Sequence, residues 1–137
     1  MAELPRVIEE VGRALAARLP QAWAIYAFGS LARGDARPDS DLDLAVLLPP
    51  GARLRDKLGL IAELSRLAGR EVDLVDLREA NLDLVHQVLR EGQTLRITNE
   101  SEVLGWEAER MSAYADFNPR RRDIVDHYLR QTLRGPA

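Results

Sequence analysis

Gly29-Ser30-Leu31-Ala32-Arg33-Gly34-Asp35-Ala36-Arg37-Pro38-Asp39-Ser40-Asp41-Leu42-Asp43-Leu44 joins a glycine–serine turn to a pair of aspartates across a polar loop. The residues before it, Ala22 to Phe28, are short, apolar and aromatic, and predict a buried strand running into the turn. Asp41 to Leu48 alternates cleanly at its start and is stopped by Pro49-Pro50-Gly51, which predicts a second strand and a hard turn. Residues two apart on a strand share a face. Asp41 and Asp43 therefore stand side by side while Leu42 and Leu44 turn to the core.

Outward from this segment the apolar spacing alternates between helix and strand periods. Leu4, Val7, Ile8, Val11 and Leu15 predict an amphipathic helix from Pro5 to about Leu19, closed by Pro20. Leu54, Leu58, Ile61, Leu64 and Ala68 form the stripe of a second helix, with Gly69 at its cap. Glu71 to Leu77 predicts a third strand, Leu82 to Gly92 a short helix, and Thr94 to Thr98 a fourth, edge strand. From about Ser101 the chain reads helical, with a break at Asn118-Pro119. The expectation is one α/β (α+β) domain over residues 1–137, with a core over about 5–98 and a helical C-terminal extension over about 100–134.

Composition narrows the function classes. Nineteen basic against 22 acidic residues leave a net charge of −3, so no global field draws the chain onto nucleic acid. The absence of cysteine excludes a disulfide scaffold, a cysteine nucleophile and a thiolate metal site. No apolar run approaches the roughly 20 residues of a membrane span, and the first residues lack the layout of a signal peptide. A soluble, cytoplasmic protein is expected.

The chemistry lies in the aspartates. Two carboxylates this close resist ionising together unless a cation sits between them, and oxygen-only ligands favour a hard ion such as Mg²⁺. Asp73, in Val72-Asp73-Leu74-Val75, lies on a strand that can neighbour the second one and add a third carboxylate to the same face. Asp76 is its rival, but lies three residues along and hence on the opposite face. Three such groups can hold two ions roughly 4 Å apart, an arrangement suited to in-line phosphoryl transfer. Gly29 allows close backbone approach to a phosphate, and Ser30 offers hydroxyl and amide donors. Arg33 and Arg37 can reach the same phosphates from the loop. A lone Asp-x-Asp or Gly-Ser is ordinarily a solvated strand end or a turn; the fixed spacing of the two sets this chain apart.

This segment resembles the signature of the DNA polymerase β-like nucleotidyltransferase superfamily, specifically its minimal (MNT) branch, over about Ala22 to Thr98. The resemblance implies a mixed sheet of about four strands with packed helices. It also implies Mg²⁺ held by Asp41 and Asp43, Asp73 as the third carboxylate and an aid to deprotonating the acceptor, and ATP phosphates held at Gly29 and Ser30. Small stand-alone members are commonly the MntA-like antitoxin halves of HEPN/MNT toxin–antitoxin pairs, which transfer AMP from ATP to a tyrosine of the HEPN ribonuclease in a hetero-oligomeric complex. Two alternatives stay open: nucleotide transfer to a small molecule or an RNA end, and an antitoxin that neutralises its partner by binding alone.

Outside the motif, Trp106, Met111, Tyr114, Phe117, Ile124, Tyr128 and Leu129 make the extension more aromatic than a solvated appendage needs. They are expected to pack on the sheet, with partner docking as the functional alternative. Arg120-Arg121-Arg122, beside Asp123 and Asp126, reads as a solvated helix start, and direct nucleic-acid binding is not expected. Trp23 and Tyr26 are expected in the core, His86 at a helix surface or boundary, and neither His86 nor His127 in a metal site.

Overall fold

The computed structural model describes residues 3–34, 40–117 and 127–131. Its elements run α1 (Glu3–Arg18), β1 (Ala24–Phe28), α2 (Gly29–Arg33), β2 (Leu42–Leu47), α3 (Lys57–Ala68), β3 (Val72–Asp76), α4 (Leu82–Glu91), β4 (Gln93–Ile97) and α5 (Glu100–Phe117). The four strands form one mixed sheet in the order β3-β2-β1-β4. β1 is antiparallel to both β2 and β4, and β2 is parallel to β3. The parallel pair requires a crossover, which α3 supplies.

Strand alternation divides the sheet residues between two apolar layers. Ile25, Ala27, Leu42, Leu44, Val46, Val72 and Leu74 pack beneath α1 and α3 with Ile8, Val11, Leu15 and Leu64. Ala24, Tyr26, Phe28, Ala45 and Leu47 pack on the other side with Val85 and Val88 of α4 and Val103 of α5. With helices on both faces the strands are buried throughout β1 and nearly so in β2, which explains why only the start of β2 alternates in polarity. At that start, Leu42 N–H donates to Glu71 O (2.9 Å) and Val72 N–H to Ser65 Oγ (3.0 Å), tying the head of β2 to the α3–β3 turn.

Several expectations are corrected. Leu54 packs on the core but precedes α3, which starts at Lys57 because the Asp56 side chain accepts from Gly59 N–H and caps the helix there. Leu58, expected in the apolar stripe of that helix, is 81% exposed. His86, expected at a helix surface or boundary, is 9% exposed and stacks on Tyr114 with ring centroids 3.9 Å apart. Met111 and Tyr114 of the extension pack inward, on Leu82 and Leu89 of α4 and on Tyr128 and Leu129 rather than on the sheet as expected. The break at Asn118-Pro119, Ile124 and Arg120-Arg121-Arg122 lie outside the described residues. Among those described, no helix is long and apolar enough to cross a membrane.

Tyr26 does more than fill the core. Its hydroxyl donates to Glu107 Oε2 at 2.5 Å in a buried site, and Tyr128 adds a second hydrogen bond to the same carboxylate. This clasp joins β1, α5 and the segment 127–131. Burial raises the Glu107 pKa above 4.5, only partly opposed by the two hydroxyls, and the same burial with the Glu107 charge raises that of Tyr26. A carboxyl with a raised folded pKa contributes stability that is fully present below its unfolded value and lost as pH rises through the folded one. Glu107→Gln is therefore expected to gain on the wild type in melting temperature as pH rises from 4.5, then hold a constant difference. Tyr26→Phe, which leaves buried carboxylate less satisfied, is expected to lose about 1–3 kcal/mol. Thermal melts across pH check both.

Candidate active site

The aspartates gather where β1 ends and β2 and β3 begin. Phe28, the last residue of β1, lies opposite Asp43 in the antiparallel ladder, and Asp43 lies in register with Asp73 across the parallel one. In-register residues of neighbouring strands share a face, so Asp43 and Asp73 stand together on the α4/α5 side of the sheet. Asp41, one residue before β2, completes the group. Asp43 is half-buried, whereas Asp41 and Asp73 are exposed.

Their charges are coupled. Burial raises the Asp43 pKa first, then Asp73 and Asp41 in turn, and Arg33 opposes them. Asp76, the rival, pairs with Val46 on the opposite sheet face, where its carboxylate accepts from Arg78 N–H at 3.0 Å and shapes the turn after β3.

Gly29 turns the chain from β1 into α2 at φ +80°, a conformation that side chains rarely adopt. A Cβ there would overlap the Asp43 carboxylate. Glycine is thus required by both backbone and space, and its peptide lies directly against the acidic group. Ser30 follows, half-buried, as the second residue of α2. Arg33 ends α2 and pairs with Glu91 of α4 (Nη1 to Oε2, 3.3 Å). Arg37 lies outside the described residues. Glu91 is the site neighbour that the sequence does not disclose: 58 residues separate it from Arg33, and no spacing rule links a loop arginine to the last residue of a later helix.

Among the described residues, no three acidic or histidine side chains converge into a ready-made metal cage. The fit to a divalent ion rests on donor chemistry. The group offers carboxylate oxygens alone, two of its members are exposed to an incoming ion, and the third carries like-charge repulsion that a cation relieves. These residues fit Mg²⁺, with no nitrogen or sulfur ligand to favour a softer metal.

The raised Asp43 pKa costs stability as pH rises, because the folded protein must ionise a group it holds more readily as the acid. Asp43→Asn is expected to raise the melting temperature by a few degrees at neutral pH without divalent ions, with the gain shrinking as pH falls through the folded Asp43 pKa. Mg²⁺ is expected to stabilise the wild type and not the variant. Scanning calorimetry with and without Mg²⁺ checks both.

Comparison with known proteins follows the same lines. The family model described as polymerase beta, nucleotidyltransferase matches residues 13–101, which include the whole sheet and all three aspartates. The chain is 32% identical over 114 residues to the protein adenylyltransferase MntA of Shewanella oneidensis, covering 83% of this chain and 81% of that one. It resembles a chain in a crystal structure of a toxin–antitoxin with AMP-PNP (TM-score 0.71, 31% identity, 87% of this chain and 96% of that one). It also resembles a chain in the structure of tri-AMPylated Shewanella oneidensis HEPN toxin in complex with MNT antitoxin (TM-score 0.61, 27% identity, 87% and 97%).

Proposed function

Because this chain belongs to the polymerase β nucleotidyltransferase family, we propose that it is a Mg²⁺-dependent protein adenylyltransferase that acts as an antitoxin, transferring AMP from ATP to a tyrosine of a HEPN ribonuclease toxin. The observation that carries this reading is the coupling of Asp43, which lies against Gly29, with Asp73 and Asp41, in a chain that matches most of the length of an adenylyltransferase. The related structures with AMP-PNP and with an AMPylated HEPN toxin support the nucleotide and the acceptor.

In this reading Asp41, Asp43 and Asp73 would hold two Mg²⁺ ions, which when bound would supply charge neutralisation for the acceptor oxygen and the departing phosphates. Gly29 lets the backbone approach the ATP phosphates, and Ser30 donates its hydroxyl to them. Arg33 exchanges Glu91 for phosphate oxygens, and Arg37 assists from the loop. The acceptor tyrosine oxygen forms a bond to the α-phosphorus as the bond to the β-phosphate oxygen breaks. Pyrophosphate leaves, and the phenolic proton passes to Asp73. The partner presents the acceptor, a reading supported by the related complex of tri-AMPylated HEPN toxin with MNT antitoxin. The complex is hetero-oligomeric, and a cysteine-free chain suits the reducing cytoplasm in which we place it.

Intact-mass spectrometry of a HEPN partner incubated with this protein, ATP and Mg²⁺ tests the proposal. Mass gains in steps of AMP are expected. The Asp41→Ala/Asp43→Ala variant, with less repulsion to hold in check, is expected to stay folded and to lose transfer by about 100-fold or more. A partner that is bound and neutralised without gaining mass contradicts enzymatic transfer, and transfer to RNA or a small molecule without protein contradicts the acceptor.

A further inference from the structure

The geometry points to Arg70 as a positioning residue for Asp41. This rests on the proposed role of Asp41 as a metal-binding carboxylate. Arg70 lies in the turn between α3 and β3, directly after the left-handed cap Gly69, and its Nη1 donates to Ser40 O at 3.1 Å. That carbonyl belongs to the peptide bond leading into Asp41. Its orientation sets the Asp41 backbone torsion and hence the direction from which the carboxylate starts.

Asp41 needs such a hold. It precedes β2, and the first bond anchoring the strand to β3 is made one residue later, from Leu42 N–H to Glu71 O. On the other side lies the loop that follows Arg33. Arg70 on Ser40 and Glu71 on Leu42 therefore bracket Asp41, both from the segment that leads into Asp73. One short turn thus fixes the first aspartate relative to the third.

The chemistry of the guanidinium favours this role over a purely stabilising one. Arg70 Nε is buried without a hydrogen-bond partner among the described residues, an arrangement that costs stability. A rule broken locally is characteristic of a functional position. The guanidinium is bonded to the Ser40 carbonyl, so its hold on Asp41 runs through that peptide.

Binding of Mn²⁺ in the presence of AMP-PNP, followed by loss of the free-ion signal in electron paramagnetic resonance, tests the inference on the full chain. Supporting groups behind metal ligands typically contribute 10- to 100-fold in affinity, so Arg70→Ala is expected to weaken Mn²⁺ binding by about tenfold with a cooperative melt retained. Arg70→Lys keeps one donor and the stem, and is expected to weaken binding by about threefold. Its fold is secure if that of the alanine variant is not. Arg70→Ala added to Asp41→Asn is expected to weaken binding no further than Asp41→Asn alone, because the two act through one ligand. Wild-type binding by the folded Arg70 variants, while Asp41→Asn binds poorly, overturns the inference alone. So do effects of Arg70→Ala and Asp41→Asn that multiply. Wild-type binding by Asp41→Asn overturns the metal assignment and the inference with it.

Discussion

Repulsion among Asp41, Asp43 and Asp73 is the constraint around which the rest of the chain is arranged. The parallel register of β2 and β3 sets Asp43 beside Asp73, and the antiparallel register of β1 and β2 brings the Gly29 turn down onto Asp43. Left to themselves, like charges at this spacing would push the heads of the strands apart. They are kept together by apolar layers on both sides of the same strands: Leu42, Leu44 and Val46 beneath α1 and α3, Ala45 and Leu47 beneath α4 and α5. The core supplies the stability, and the charged end spends part of it on a site that a divalent cation and a polyphosphate can neutralise.

Much of this was legible in the sequence because it depends on local pattern. The alternation at Asp41-Leu42-Asp43-Leu44 fixes which side chains share a face, and the three-residue offset sends Asp76 to the other one, as the register bears out. What could not be read depends on partners distant in sequence. Tyr26 and Glu107 are 81 residues apart, and Arg33 and Glu91 are 58 apart; periodicity assigns faces and says nothing of which polar groups meet across them. The depth of His86 depends on such a partner too. Its neighbours Val85 and Val88 are buried, but only the fold brings the Tyr114 ring against the imidazole. The start of α3 was misjudged because Leu54 continues an apolar stripe, while the Asp56 cap, a local hydrogen bond, decides where the helix begins.

The extension and the site are connected through β1. Its residues alternate between the two layers. Tyr26, in the middle of the strand, reaches Glu107, which Tyr128 also bonds, and the strand runs on into the Gly29 turn. α4 makes a second connection, carrying His86 against Tyr114 and, at its last residue, Glu91 against Arg33. The helical extension is thus held by buried polar contacts to the elements that carry the site. Met111, Tyr114 and Tyr128 are committed to packing within the fold.

Asp43 sits among like charges that a bound divalent ion would relieve, and its titration measures this directly. Carbon-13 NMR of the Asp43 carboxyl, recorded across pH with and without Mg²⁺ and AMP-PNP, is predicted to show a pKa above 3.8 in the free protein and a marked fall when both are added. An ordinary carboxylate titration in the free protein, or a raised one that Mg²⁺ and nucleotide leave unchanged, would contradict the account.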